Sequence, residues 1–428
     1  MSNWKEYKLV EVAKNASRRF DFSKHSNVIF INTGDVLNNQ FLHKNYSIAD
    51  GLPGQAKKAI QKGDILYSEI RPGNGRYLLV GDSVDDYVVS TKFMVIESNQ
   101  EIILPEFLFL LLISNEATEY FKVIAESRSG TFPQITFDSI SHYELKIPSK
   151  DIQQSIVDNI FVLDKKIELN TQINQTLEQI AQTIFKSWFI DFDPVHAKAN
   201  ALASGQTAEQ ATQAAMAVIS GKNTQELHRL QTANPEQYQQ LWEIADAFPS
   251  GVDEEGVPWG WEERYLKDVC NIVYGKGLPK NKLTEKGFYV FGANGVIGFY
   301  DSYTYEKPQV LIGCRGTVGQ VTLSYPYSFV TNNSLVIEYE NSCVSMYYLE
   351  KYLSNINLKE ISSGSVQPQI TIQNMSKVKI LIPNIEILNF YSEKVKEIYD
   401  KRLHHFYENQ SLSKVRDLLL PKLLSGEV

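Results

Sequence analysis

The chain is written twice. Trp4, Leu9 and Val12 in WKEYKLVEV recur with the same spacing as Trp261, Leu266 and Val269 in WEERYLKDV. VSTKFMVIE (Val89 to Glu97) returns as VTNNSLVIE (Val330 to Glu338), a strand-like segment in each half. SGTFPQIT (Ser129 to Thr136) returns as SGSVQPQIT (Ser363 to Thr371), one residue longer. From Gln134 and Gln369 the copies keep one register without a gap, through Pro148 and Pro383 to NQTL (Asn174 to Leu177) and NQSL (Asn409 to Leu412). Five segments in the same order are not a chance similarity, and a repeat of this length decides the architecture before any single element does. Each unit is an irregular domain of about 130 to 150 residues followed by one long helix, a domain plus an arm.

The arms are legible from their period. After Pro148, Ile156, Ile160, Leu163, Ile167, Asn170, Asn174, Leu177, Ala181, Ile184 and Trp188 alternate spacings of four and three, a heptad seam. With Asp151 as its N-cap, a helix from Ile152 to about Phe189 would be roughly 55 Å long and would need a partner for its apolar stripe. The second copy offers one in Val395, Ile398, Leu403, Phe406, Leu412, Val415 and Leu419, between Ile385 and Leu424, with Pro421 near its end. Asn170 and Asn174 in the seam would fix register at some cost in stability. Two independent helices, each packed on its own domain, are the alternative. The unrepeated stretch from Pro194 to Gly256, rich in Ala and Gln, reads as a helical connector up to the break at Phe248-Pro249-Ser250-Gly251.

In the first globular part, KGDILYSEIRPGNGR (Lys62 to Arg76) reads as a strand and then a Gly/Pro turn carrying Arg71 and Arg76. PQVLIGCRGTVGQV (Pro308 to Val321) is its counterpart, with Arg315 on a glycine turn. Arginine beside glycines suits bidentate contact with a phosphate or a guanine edge, and recurrence in both copies favours that role over a solvated turn. Gln134 and Gln369 have amides suited to adenine or phosphate, but their recurrence favours a turn closing each domain on its arm, since base-reading residues should differ between the halves. Tyr300, Tyr303 and Tyr305 fit a nucleic-acid face or the packing of a small sheet. The DNA-contact candidates are Arg71, Arg76, Lys92, Arg128 and Gln134 in the first copy and Lys276, Lys280, Arg315, Asn332, Asn333 and Gln369 in the second.

Composition limits the alternatives. With 43% hydrophobic and 21% charged residues over 428 positions, the chain reads as a soluble globular protein of two or more domains. Its start, MSNWKEYKLVEVAK, lacks the apolar run of a signal peptide, and Phe107 to Ile113 is too short to cross a bilayer, so the expected compartment is the cytoplasm, with no membrane partner. Cys270, Cys314 and Cys343 lack metal-site spacing and read as reduced, mostly buried thiols. A net charge of −8 argues against a simple basic DNA-binding module, and a nucleic-acid reading accommodates it if partner subunits supply part of the positive surface.

No catalytic constellation emerges. There is neither an N-P-P-Y-like tetrapeptide nor a Walker loop, and FGANGVIG (Phe291 to Gly298) reads as a glycine turn between strands. Asp138, Glu144 and Lys146 mimic a nuclease pattern, but the second copy has Lys379-Ile380-Leu381 there and no acid. The adjacent His404 and His405 point to different helix faces.

Taken together, IFKSWFIDFDPVHAK (Ile184 to Lys198), FGANGVIGFYD (Phe291 to Asp301), VLIGCRGTVG (Val310 to Gly319) and the ending LLLPKLLSGEV (Leu418 to Val428) resemble segments of the specificity subunits of type I restriction-modification enzymes, across essentially the whole chain. The resemblance implies an α+β fold: two globular target-recognition domains separated by a two-helix antiparallel coiled coil, with an internal pseudo-two-fold repeat. It implies domains at 1–150 and 257–384, long helices at 151–193 and 385–428, and the connector at 194–256. It further implies that each domain reads half of a bipartite double-stranded DNA target, with no catalytic site and no cofactor in this chain. Two modification subunits would bring S-adenosylmethionine and adenine methylation, and restriction subunits would bring ATP, Mg and cleavage. Phe185, Trp188, Phe189, Leu419 and Leu423 are the candidates for docking them. The arms would act as a ruler between the heads. The competing readings are a two-headed protein scaffold without DNA contact and a stand-alone nuclease.

Overall fold

In a computed structural model, which describes residues 4–82, 84–128, 132–364 and 367–427, the repeat of letters becomes a repeat of elements. Two compact units divide the chain, Met1–Thr171 with Phe406–Val428, and Gln172–His405. The first contains a four-stranded antiparallel sheet in the order Ala13–Asn15, Phe93–Ser98, Ile65–Ser68, Tyr77–Leu79. The second builds the same sheet, in the same order, from Asn271–Tyr274, Ser334–Glu338, Val310–Gly313 and Val321–Leu323. Ile65–Ser68 (ILYS) and Val310–Gly313 (VLIG) are buried at every position, which is why these segments read as unbroken apolar runs without alternation.

A two-stranded ribbon recurs as well. Lys5–Lys8 pairs with Glu144–Ile147, and Glu262–Tyr265 with Lys379–Ile382, in one shared register that sets Lys5 opposite Ile147 and Glu262 opposite Ile382. The copies diverge in a second, mixed sheet. Its parallel pair is Asn27–Ile31 with Tyr87–Ser90 in the first unit and Phe288–Gly292 with Phe329–Val330 in the second. Tyr46–Ile48 and Ala56–Ala59 flank the first pair, whereas only Gly295–Tyr300 joins the second. FGANGVIG is accordingly a hairpin turn, with Gly292 opposite Gly295.

Each globular part runs into a long helix. The first arm is Lys150–Phe189 and the second Ile385–Ser425. The first begins earlier than its apolar period, because the Ser149 carbonyl accepts the Gln153 amide at 3.0 Å. Asp151 therefore lies inside the first turn, where it favours the helix dipole instead of capping it.

The arms touch within each unit. In the first, Asn170 donates to Asn409 at 2.8 Å and to Glu408 at 2.7 Å, while Arg416 donates to Asp164 at 2.8 Å. In the second, His405 Nδ1 lies 2.9 Å from Asn174 Oδ1, and Glu178 pairs with Arg402. Numbers fall on one arm as they rise on the other, so the pairing in each unit is antiparallel. In the repeat register His405 takes the place of Asn170 and Asn409 that of Asn174, so the two polar contacts are one contact written twice. Val415 departs from the expected stripe and is exposed, because its neighbour Arg416 turns inward to Asp164.

Cores form where arms meet domains. Ile156, Ile160 and Leu423 join Phe107, Phe121 and Leu145 in the first unit. In the second, Trp188 meets Phe248 edge-on at 5.2 Å, and Phe189 meets Tyr348 at 4.9 Å and Tyr391 at 5.0 Å. Such ring pairs add to the 150–250 Å² that each large aromatic removes from water. Between the first arm and Phe248 lie four helices, Asp193–Ala203, Ala208–Ser220, Thr224–Ala233 and Pro235–Ala247. They have a small core of their own, made of Ala215, Met216, Leu227, Leu241 and Ala245, so the connector is a folded helical insert. Its buried Lys198 ammonium donates to the carbonyls of Ala245, Asp246 and Phe248 at 3.3, 3.0 and 2.7 Å, and burial lowers its pKa.

Candidate nucleic-acid interface

Three chain segments converge at one end of the four-stranded sheet of the second unit. The first leaves strand Asn271–Tyr274 through Gly275 and Lys276, the second leaves Val310–Gly313 through Cys314 and Arg315, and the third enters Ser334–Glu338 through Thr331, Asn332 and Asn333. Backbone hydrogen bonds lock them together. Lys276 N–H donates to Val330 at 2.8 Å, Asn332 N–H to Lys276 at 3.1 Å, and Cys314 N–H to Asn333 at 2.9 Å. The approach is close enough to demand glycine twice. A Cβ on Gly275 would stand 2.2 Å from the Thr331 carbonyl oxygen, and one on Gly313 would stand 2.2 Å from that of Thr317 and 2.5 Å from that of Ala293.

This frame leaves Lys276, Arg315, Asn332 and Asn333 exposed together. The Arg315 guanidinium lies 6.0 Å from the centre of the Tyr274 ring, a cation–π contact that orients it while leaving its donors free. A guanidinium, an ammonium and two carboxamides on a rigid rim form a donor-rich set suited to base edges and phosphates. Cys314, just behind them, is buried, and burial pushes its thiol pKa up. Cys343, by contrast, is exposed.

The first unit repeats the frame. Glu69 N–H donates to Lys92 at 3.0 Å, as Cys314 N–H does to Asn333, and Lys92 and Asn333 share one place in the repeat. Ile135 N–H reaches Glu69 at 2.8 Å, as Ile370 N–H reaches Cys314 at 3.2 Å. On this rim Arg71 is exposed and holds a left-handed backbone, φ 46°, at the head of the turn Pro72–Asn74, and its N–H bonds the Pro133 carbonyl at 3.1 Å. A non-glycine residue in that region is strained and held there by its surroundings. Lys92 is half-buried beside it.

Several candidates stand elsewhere. Arg76 is not a free reader, because its guanidinium donates to the carbonyls of Gly34 at 2.9 Å and Val36 at 2.7 Å and so braces a loop. Gln134 and Gln369 are half-buried, and their backbones bridge to Ile70 and Ser363, which closes the rim from behind. Lys280 is exposed, farther along from Lys276. Arg128 ends the helix Asn115–Arg128, and its side chain lies outside the described residues. Tyr305 is a packing residue that donates its hydroxyl to Glu338 at 2.8 Å, and Tyr300 packs on Phe329 at 5.4 Å, whereas Tyr303 is exposed.

The docking candidates need correction. Phe185, Trp188, Phe189 and Leu423 are buried in the cores, so these side chains seat the arms on their own domains and offer no surface to another subunit, while Leu419 is half-buried against one core. One residue of the rims escaped sequence reasoning. Tyr274 carried no signal, since only the fold brings it beneath Arg315. Among the described residues no three His, Cys, Asp or Glu side chains gather as a metal site, and no helix is long and apolar enough to cross a membrane.

Residues 1–179 and 258–415 match the family model for the type I restriction modification DNA specificity domain. The helical insert falls in the unmatched gap. The type I restriction enzyme HindI specificity subunit of Haemophilus influenzae is 51% identical over 459 aligned positions that cover all of both chains. The MjaIX specificity subunit of Methanocaldococcus jannaschii is 24% identical over 76% of this chain and 69% of its own. Among solved structures, the S subunit of a type I restriction-modification system from M. genitalium shares the fold, with a TM-score of 0.56 over 99% of this chain and 96% of that one at 16% identity.

Proposed function

The chain belongs to the family of type I restriction-modification DNA specificity subunits, and from that premise we propose that each of its two loop rims reads one half of a bipartite DNA target. A specificity subunit recognises DNA and is itself non-catalytic. The observation that carries the finer reading is a frame kept constant while its side chains change. The same backbone bonds recur at Glu69 and Cys314 and at Ile135 and Ile370, yet the rims present Arg71 and Lys92 in one unit and Lys276, Arg315, Asn332 and Asn333 in the other. A device that reads two different sequences with one scaffold needs that combination. The scaffold reading without DNA contact does not fit membership of a DNA specificity family.

The paired arms serve as the ruler that leaves a spacer of DNA unread between the two half-sites. Modification subunits bring S-adenosylmethionine, and restriction subunits bring ATP and Mg. They dock on the outer faces of the arms, where Val162, Leu169, Val415 and Leu418 are exposed.

The test is a pair of substitutions, Arg71→Ala and Arg315→Ala, each assembled with its modification partner and titrated against duplexes carrying single base changes. Each should weaken target binding by about 1–3 kcal/mol and erase discrimination within one half-site only. Equal loss on unrelated DNA would mark the residue as a phosphate contact and contradict its reading role.

A further inference from the structure

The second head gathers four lysines on one short segment. From the rim of the second unit a strap runs out to the mixed sheet. It begins at Lys276, bonded to Val330 and Asn332, turns through Lys280–Lys282, and ends where Thr284 N–H donates to Phe299 at 2.9 Å. Leu283 anchors it against Gly298, whose Cβ would stand 3.3 Å from that leucine side chain. Between residues 276 and 286 the strap holds Lys276, Lys280, Lys282 and Lys286 against Glu285 alone, in a chain whose net charge is −8. All four lysines are exposed, and none forms an ion pair among the described residues.

In the first unit part of the charge is committed internally, while Arg19, Lys44, Lys57 and Arg71 are exposed outside any ion pair among the described residues. Arg18 is pinned between Asp64 and Glu97, and Lys14 pairs with the same Glu97 at 3.0 Å. Lys24 pairs with Asp21 at 3.4 Å, Lys62 with Asp82 at 2.9 Å and Lys122 with Glu119 at 2.6 Å. Lys58 donates to the Phe93 carbonyl at 2.6 Å, and Arg76 to two carbonyls.

We infer that the strap Lys276–Lys286 is a phosphate-backbone anchor, a concentrated part of this subunit's sequence-independent hold on DNA. Lysine suits the task, being a compact, hydrated point charge on a flexible stem that follows a phosphate without demanding bidentate geometry. Contacts of this kind place a protein on the duplex without reading it, and each one releases condensed counterion. The inference deepens the DNA-reading proposal and rests on it.

The experiment measures duplex affinity against salt for the complete chain with its modification partner, on target and non-target DNA. The variant Lys280→Gln, Lys282→Gln, Lys286→Gln should lower the slope of log affinity against log salt by about 2 to 3, at roughly 0.9 per phosphate contact, equally on both duplexes. The Lys→Arg triple at these positions should keep the slope, which separates loss of charge from damage to the fold. A control triple in the first unit, Lys24→Gln, Lys62→Gln, Lys122→Gln, should move it by less than about 1. An unchanged slope in the strap variant, with steep wild-type binding, overturns the anchor and leaves DNA reading intact. A control triple that costs as much overturns the strap's distinct role. A wild-type complex that binds duplex without salt dependence sinks both.

Discussion

Three arginines show how much a single side chain's surroundings decide. Arg18 neutralises two carboxylates, one of them the buried Asp64, whose pKa burial raises against the pull of the guanidinium. Arg76 donates to two main-chain carbonyls, and Arg315 leans on a tyrosine with its donors open. Arg76→Ala should therefore cost about 2 kcal/mol of stability, through two unanswered carbonyls, and lower the melting temperature without altering which bases are preferred. A change of base preference with an unchanged melting temperature would contradict the bracing role. Arg315→Ala should do the reverse. The sequence placed both residues on comparable glycine turns and could not separate them, because the partners of Arg76 are carbonyls of Gly34 and Val36, and main-chain acceptors some forty positions away leave no mark in a pattern of letters. Tyr274 was illegible for the same reason, whereas recurrence exposed the Arg315 loop without any structure.

At the scale of elements, the arms owe their stripe to a spacing of four and three that one strand of text displays. What the period does not display is which polar residues turn inward. Arg416 enters where Val415 was expected, and Glu178 gathers Arg402 and the buried Lys351, which also lies 3.0 Å from Glu350. Burial alone would raise the pKa of Glu178, but the two cations outweigh it and hold the carboxyl below its ordinary value of 4.5. A carboxylate depressed in this way contributes fully above its unfolded pKa, and the contribution is lost as pH falls through the lower folded value. Chemical denaturation followed from pH 6 downward should thus show a steep loss beginning near 4.5. Glu178→Gln should flatten that limb and cost about 2 kcal/mol at neutral pH, since Lys351 would keep Glu350 as its carboxylate partner. An acid limb identical in the two proteins would remove Glu178 from the account. The helical insert was legible as helix from its composition, but its own core was not, because Met216, Leu227 and Leu241 meet only after three turns of chain.

The whole molecule reconciles an acidic chain with a DNA partner. Residues 193–256, which the specificity-domain match skips, hold nine carboxylates against Lys198, Lys222 and Arg229. Much of the net negative charge therefore belongs to the insert and little to the heads, a distribution that a chain-wide total conceals. On the proposed reading, the duplicated heads read and the arms measure. Inserting one heptad into each arm should lengthen the unread spacer while both half-site sequences stay the same, as seen by mapping methylated adenines. A constant spacer with altered bases would end the ruler. The most direct measurement exchanges one head. Residues 257–384 are replaced by the corresponding domain of another specificity subunit, and the methylated sites in cells carrying the chimera are mapped genome-wide. The account predicts a target in which one half is new and the other is kept base for base. A target changed in both halves, or in neither, would contradict it.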